Sequence, residues 1–248
     1  MGNLTYVFER VERKFLLTPS QYEGMMRVLP EYMQADQYGE STILSLYLDT
    51  ADSLLIRRSL EKPVYKEKLR LRSYGVPGDG DNVFLEVKKK VQGVVYKRRI
   101  CLPLARAMEC LARESIPAAG GQIGREIAYM LRRYRLRPAV LLAYDRTASP
   151  NQLRITIDRD IRSRQTDLDL RLGAAGESLL AHGMRLMEIK TAHAIPLWLC
   201  AALDQNEIRP TSFSKYGRVY EARMRAGQAR AMRPDAVKEG VCDAVCHV

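Results

Sequence analysis

Basic residues recur at every second position in several short stretches of this chain. Lys66, Lys68, Arg70 and Arg72 form one such row; Glu86, Lys88 and Lys90 a second; Lys97 and Arg99 a third. Arg10, Glu12 and Lys14 near the start, and Glu188 and Lys190 further on, repeat the pattern. Alternate side chains of an extended strand point to one side, so each stretch puts a line of charge on one face. The chemistry open to such lines is the holding of a polyanion: Arg forks take phosphate oxygens in pairs, and Lys supplies mobile point charges. The opposite faces carry Leu69 and Leu71, Leu85 and Val87, and Met187 and Ile189. Arg154, Thr156 and Asp158 likewise oppose Leu153, Ile155 and Ile157.

Two arrangements satisfy this alternation. In one, an antiparallel sheet turns its charged face to water. In the other, the apolar face is covered by helices and the charged face lines the lumen of a barrel. Recurrence on five strands favours the second, because solvated faces usually mix both signs. A cationic lumen repels itself and so implies a bound polyanion.

Other residues offer less. Gly75-Val-Pro-Gly-Asp-Gly80 lacks the lysine and the Ser or Thr of a phosphate-binding loop and reads as a turn. His182, His193 and His247 are scattered and make no metal cluster. Cys242 and Cys246, with His247, lack a second ligand pair at zinc-like spacing. Asp158 and Asp160 flank Arg159 on one strand face and are expected in salt bridges, with a lumen role as the alternative. Glu12 and Glu86 share faces with cations they could orient.

The elements that must position these residues follow from pattern and punctuation. Strands are expected at Tyr6–Leu17, Thr42–Leu48, Val64–Tyr74, Val83–Val91, Val94–Leu102, Pro138–Tyr144, Gln152–Asp158 and Met184–Thr191. Helices are expected at Gln21–Leu29, capped by Thr18 or Ser20, near Leu54–Ile56, at Leu104–Glu114, Ile123–Arg135 and Ile195–Leu203, and over Tyr216–Met224. No βαβ rhythm repeats and the turns are short, so the strands pair antiparallel. The fold class is α+β: an eight-stranded antiparallel closed β-barrel with helices packed outside. Residues 1–226 make one domain and 227–248 a loosely held tail.

The 248-residue chain carries a net charge of +11, which points to an anionic partner. Low aromatic content, 7%, argues against a base-stacking platform, and no nucleic-acid partner is expected. No apolar run is long enough to span a membrane, and the start lacks a signal-peptide pattern. The odd, scattered cysteines suit reduced thiols, and a cytoplasmic location is expected.

The chain resembles the VTC domain, the catalytic domain of a polyphosphate polymerase within the CYTH, or triphosphate tunnel metalloenzyme, superfamily. The residues that carry the resemblance are Glu12-x-Lys14, Tyr47-Leu-Asp49, Lys68-Leu-Arg70-Leu-Arg72, Phe84-Leu-Glu86-Val-Lys88, Tyr144-Asp-Arg146-Thr, Arg154-Ile-Thr-Ile-Asp158, Met187-Glu188-Ile-Lys190 and Ser214-Lys215-Tyr216. They run in the family's order from about Tyr6 to Arg223. The resemblance implies a triphosphate tunnel open through its length, in which the γ-phosphoryl of ATP passes to a growing polyphosphate chain. It assigns phosphate binding or catalysis to Lys14, Lys68, Arg70, Arg72, Lys88, Lys97, Arg146, Arg154, Lys190 and Lys215, with Arg10 and Arg99 on the same faces. A slip of one residue would exchange Lys97 for Arg98. Glu188 matches the metal-binding carboxylate, with Mn²⁺, or Mg²⁺, as the ion. ATP and polyphosphate or pyrophosphate are the implied partners, and any coupling to a membrane would need a membrane-protein partner. The superfamily's first strand opens on a glutamate where this chain has Arg10, a change that favours holding a long polyanion over cleaving a short one. A tunnel-type triphosphatase and a non-catalytic polyphosphate binder are the alternative readings.

Overall fold

The computed structural model describes residues 11–33, 39–92, 94–149, 153–192 and 194–231. The strands are β1 (Val11–Leu17), β2 (Glu40–Asp49), β3 (Tyr65–Tyr74), β4 (Asn82–Val91), β5 (Val94–Pro103), β6 (Arg137–Ala148), β7 (Arg154–Arg164), the two-residue β8 (Glu177–Ser178) and β9 (Arg185–Thr191). The helices are α1 (Pro19–Tyr32), α2 (Leu54–Leu60), α3 (Leu104–Ala112), α4 (Gly121–Tyr134), α5 (Leu197–Gln205) and α6 (Lys215–Ala231). Every strand pair is antiparallel, in the order β1-β9-β7-β6-β2-β3-β4-β5, with β8 added beside β7.

Local signals set the element ends. Thr18 caps α1 with a reciprocal box: its side chain accepts from the Gln21 N–H, and Gln21 reaches back to the Thr18 N–H. Asp49, at the end of β2, starts α2 by accepting from the backbone N–H groups of Leu55 and Ile56 at 2.8 and 3.0 Å. The β4–β5 hairpin turns at Gln92, which takes a left-handed φ of 47°.

The apolar faces of the strands lie under helices, as the alternation requires. Leu44, Leu46, Leu69, Leu71 and Leu85 pack with Leu104, Ile127 and Leu131 of α3 and α4. Phe15, Leu17, Ile155, Met187 and Ile189 pack with Met25 of α1 and Leu199 of α5. Burial of these leucine-sized side chains contributes roughly 2 kcal/mol each.

Three points bear on the expected architecture. First, the α+β class and the eight-strand antiparallel sheet with helices are as expected, and the sheet curls into a half-barrel. Its pairing path begins at β1 and ends at β5, with no ladder between them among the described residues. The β1 edge is instead met by the segment before α6, where the Thr211 N–H donates to the Lys14 carbonyl at 2.7 Å. Second, not all helices lie outside, and the lumen is not open throughout. Val140, Leu142 and Tyr47 share the inner face with Arg70 and Arg72, and they pack against Ile56 of α2 and Tyr216 and Val219 of α6. Third, α6 continues to Ala231, past the point where a tail was expected.

A bulge reshapes β7. Ala143 pairs with Arg162 and Asp145 with Arg159, so Tyr144 faces both Asp160 and Ile161. Asp160 takes a left-handed φ of 48°, and the strand changes face there. Asp158 and Asp160 therefore do not share a face: Asp158 is fully buried in the lumen and Asp160 is exposed.

Candidate functional site

The inner face carries two buried carboxylate centres, each shared among cations from different strands. At the first, β1, β9, β7, β6 and the start of α6 converge. Glu188 on β9 receives Lys190 at 2.9 Å, Lys215 at 3.6 Å, Lys14 at 3.7 Å and Arg146 at 4.0 Å. Asp158 takes Arg146 through both a 2.5 Å and a 2.7 Å hydrogen bond and Lys215 at 2.5 Å. Lys14 also donates to the Phe213 carbonyl at 2.8 Å and lies 3.6 Å from Glu12. Burial alone would raise the Glu188 pKa, but Lys215, Lys190, Lys14 and Arg146 overcome it and hold the carboxyl far below its usual range. Asp158 is lowered in the same way, with Lys215 and Arg146 outweighing its burial. The Lys215 ammonium is raised, because Asp158, Tyr144 and Glu188 outweigh burial.

At the second centre, β2, β3, β4 and β5 meet around Glu86. Arg70 holds it with Nε and Nη2 at 2.8 and 2.7 Å, Lys97 stands at 2.8 Å and Arg72 at 3.8 Å. Glu86 is lowered to about 2, since Arg70, Arg72 and Lys97 overcome its desolvation. Tyr144 joins the two centres: its hydroxyl is 3.3 Å from Arg72 Nη2, and Lys215 and Arg146 lie 4.5 and 5.1 Å from its ring centroid. These cations lower the Tyr144 pKa against the effect of burial.

Between the centres lie cations without a carboxylate of their own. Lys68 and Lys88 are cross-strand partners on β3 and β4, and neither has an ion pair among the described residues. Lys68 is lowered to about 8, first by burial and then by Lys88, Lys66 and Lys14. Water reaches Lys88, yet the surrounding walls desolvate it and its pKa also falls. Arg72 Nε, 3.8 Å from Glu86, and the facing Ser45 Oγ are buried and have no hydrogen-bond partner.

The β5 register is settled by two carboxylates on opposite sides. Lys97 reaches Glu86 in the lumen, while Arg98 reaches Glu126 of α4 outside at 3.0 Å. Arg99, the cross-strand partner of Glu86, is exposed, with its guanidinium 4.5 Å from the Phe84 ring centroid. Arg154 is exposed on the inner-face rung of Lys190 and Glu12, at the rim, without an ion pair among the described residues. Arg10, His193, Cys242, Cys246 and His247 lie outside the described residues. Thus Lys14, Arg146, Glu188, Lys190 and Lys215 gather at one centre, Arg70, Arg72 and Lys97 at the other, and Lys68 and Lys88 between. Tyr47 and Tyr144 carried no assigned role, whereas Asp158 makes the expected salt bridges and does so in the lumen. Face parity contained the signal for Tyr47, because it lies opposite Arg70 in the β2–β3 register.

For a metal the donor set is sparse. Among the described residues no group of three or more His, Cys, Asp or Glu side chains is placed to cage an ion. Glu188 does have a cross-strand neighbour, Thr156, whose buried Oγ1 has no partner. Two hard oxygen donors fit a divalent cation that brings most of its ligands with it as phosphate oxygens and water, and do not fit an all-protein cage.

Comparison with known proteins gives the family and the fold. The family model described as VTC domain matches residues 9–223. Among solved structures, a candidate adenylate cyclase from Bacillus halodurans superposes with a TM-score of 0.51 at 15% identity, covering 83% of this chain and 93% of that one. A candidate adenylyl cyclase from Hippeastrum, described as having a dominant triphosphatase activity, gives a TM-score of 0.51 at 16% identity over 88% of this chain and 96% of that one. These likenesses are of fold. No curated protein sequence matches.

Proposed function

The chain belongs to the VTC domain family, and from that premise we propose that it is a phosphotransferase that makes polyphosphate from ATP in its basic lumen. The observation that supports this most is the cross-strand pair of half-buried Lys68 and exposed Lys88, which have no ion pair among the described residues, beside Arg72, whose Nε lacks a hydrogen bond and stands 3.8 Å from a carboxylate it shares with Arg70 and Lys97. Like charges gathered on one wall repel one another, and a chain of phosphates is a ligand that offsets that repulsion along its whole length.

In the proposed reaction a terminal oxygen of the polyphosphate attacks the γ-phosphorus of ATP. One P–O bond forms, the bridging bond between the β- and γ-phosphates breaks, and ADP leaves with those electrons. No protein nucleophile is needed; alignment and charge neutralisation do the work. Arg70 and Arg72, oriented by Glu86, and Arg146 with Lys215, oriented by Asp158, would grip phosphate oxygens. Lys14 and Lys190 would neutralise the transferring group, Lys68, Lys88 and Lys97 would hold the flanking phosphates, and Arg154, Arg99 and Arg10 would extend the track. Glu188, with Thr156 beside it, would hold a divalent ion, Mn²⁺ or Mg²⁺, that supplies further charge neutralisation when bound. Any membrane coupling would come through a partner protein.

The test is incubation of the pure protein with ATP and Mn²⁺, with the products run on a gel. Polyphosphate ladders are the expected result; steady release of free phosphate without polymer assigns the protein as a triphosphatase instead. One feature favours that second reading: α2 and α6 fill part of the concave face, which shortens the lumen. The triphosphatase activity ascribed to the Hippeastrum protein of like fold is in keeping with it. A binder without catalysis would give neither product.

A further inference from the structure

Tyr47 has no part in the cast of phosphate-binding cations, yet it stands among them. Its hydroxyl oxygen lies 3.1 Å from Arg70 Nη1. The other donors of that guanidinium, Nε and Nη2, are held by Glu86. Arg70 is therefore clamped between one carboxylate and one phenol, and the phenol is the partner on the β2 side. Every charged group that bears on Tyr47 from β3 is a cation: Arg70, Lys68 and Arg72. Lys88 of β4 couples to it as well. From α6 the Tyr216 ring packs at 5.1 Å, its own hydroxyl committed to Asp49 at 2.9 Å. From β6 come Val140, the cross-strand partner, and Leu142, and from α2 Ile56 and Leu60, all apolar members of the cluster Tyr47 packs with. Glu86, the nearby carboxylate, is divided among Arg70, Arg72 and Lys97.

We propose that Tyr47 is a positioning residue for the phosphate site: before phosphate binds, its phenolate is the counter-charge that holds Arg70, and the arriving polyanion replaces it and returns it to the neutral phenol. Glu86 is shared among Arg70, Arg72 and Lys97, and Lys68 has no ion pair among the described residues, so positive charge outweighs negative charge around the Tyr47 oxygen. Burial by itself would raise the Tyr47 pKa; Arg70, Lys68 and Arg72 reverse that and bring it down to about 7, so the phenolate is accessible near neutrality. When phosphate oxygens enter, the same cations gain a stronger partner and the phenolate meets a like charge. It then takes a proton from water, and Arg70 Nη1 is released to the ligand. The inference rests on the reading that the lumen binds phosphates. It holds equally for polymerase and triphosphatase.

The probe is inorganic triphosphate with the full-length protein in chelator, so that no metal-dependent turnover occurs. The ultraviolet tyrosinate band of the free protein is expected to titrate with a midpoint near neutrality. Triphosphate is expected to abolish the band at pH 8 and to move its midpoint up by about a unit or more. Tyr47→Phe is expected to lack the near-neutral band while keeping the wild-type circular dichroism and still binding triphosphate by calorimetry. A near-neutral band that persists in Tyr47→Phe assigns the phenolate to another tyrosine, such as Tyr144, and overturns the proposal. So does a wild-type band that triphosphate leaves unchanged although calorimetry shows binding. Absence of binding to either protein overturns the phosphate-site reading, and this one with it.

Discussion

Glu86 and Glu188 are nearly inaccessible to water, and each neutralises cations that would otherwise drive the strands apart. Their effects can be separated by what they face. Glu188 lies among Lys14, Lys190, Lys215 and Arg146, where a transferring phosphoryl group would sit, so Glu188→Gln should reduce turnover by about a hundredfold or more. Circular dichroism and steady-state assays on the same preparation check that the fold remains while activity falls. Glu86 is the better reporter of pH. Its folded pKa, about 2, lies below the ordinary 4.5, so its contribution to stability is fully present above pH 4.5 and is lost as pH falls towards 2. That contribution is about 3 kcal/mol. Urea unfolding at pH 5 and pH 3 should show the loss in the wild type and a flatter dependence in Glu86→Gln. Much of this cast was legible from alternation alone, because parity placed Lys14, Arg70, Arg72, Lys88, Glu188 and Lys190 on inner faces. The choice between Lys97 and Arg98 was not, since it depends on whether Glu86 or Glu126 lies opposite.

At the scale of elements, Asp49 links the end of β2, the start of α2 and the side of α6. It accepts from Thr50, Leu55 and Ile56 N–H groups and from the Tyr216 hydroxyl. Asp49→Ala leaves those buried donors without partners and should cost about 3 kcal/mol or more, read as a lower denaturation midpoint at unchanged m-value. The loss should exceed that of Thr18→Ala, which removes an exposed cap worth about 1 kcal/mol. Strand and helix positions followed from periodicity, turn residues and caps. What periodicity could not show was the bulge at Asp160, where an extra residue opposite Tyr144 reverses the face of β7. Nor could it show that α6 packs inside the curl, because its inward surface of Tyr216 and Val219 looks like any amphipathic stripe until Val140 and Leu142 are placed against it.

At the scale of the molecule, like charges brought together on a concave wall oppose folding, and a bound polyanion removes that opposition. Inorganic triphosphate at about a hundred times its dissociation constant should add about 2.7 kcal/mol. Thermal melts should rise by roughly 5–10 °C and lose much of that gain in high salt. Among the described residues no helix is long and apolar enough to cross a membrane.

The outer strand of the sheet carries a second meaning for the same charges. β5 ends the pairing path, and Val95, Tyr96, Lys97, Arg98 and Arg99 are all exposed along it. A ten-residue strand whose outer edge has no partner among the described residues is a template for another copy, and consecutive cations are what keep a second copy away. Lys97 and Arg99 are also on the face that polyphosphate would neutralise. Bound polyphosphate would strip the edge of its guard: light scattering should rise as added long-chain polyphosphate approaches charge balance, and fall again when it is digested.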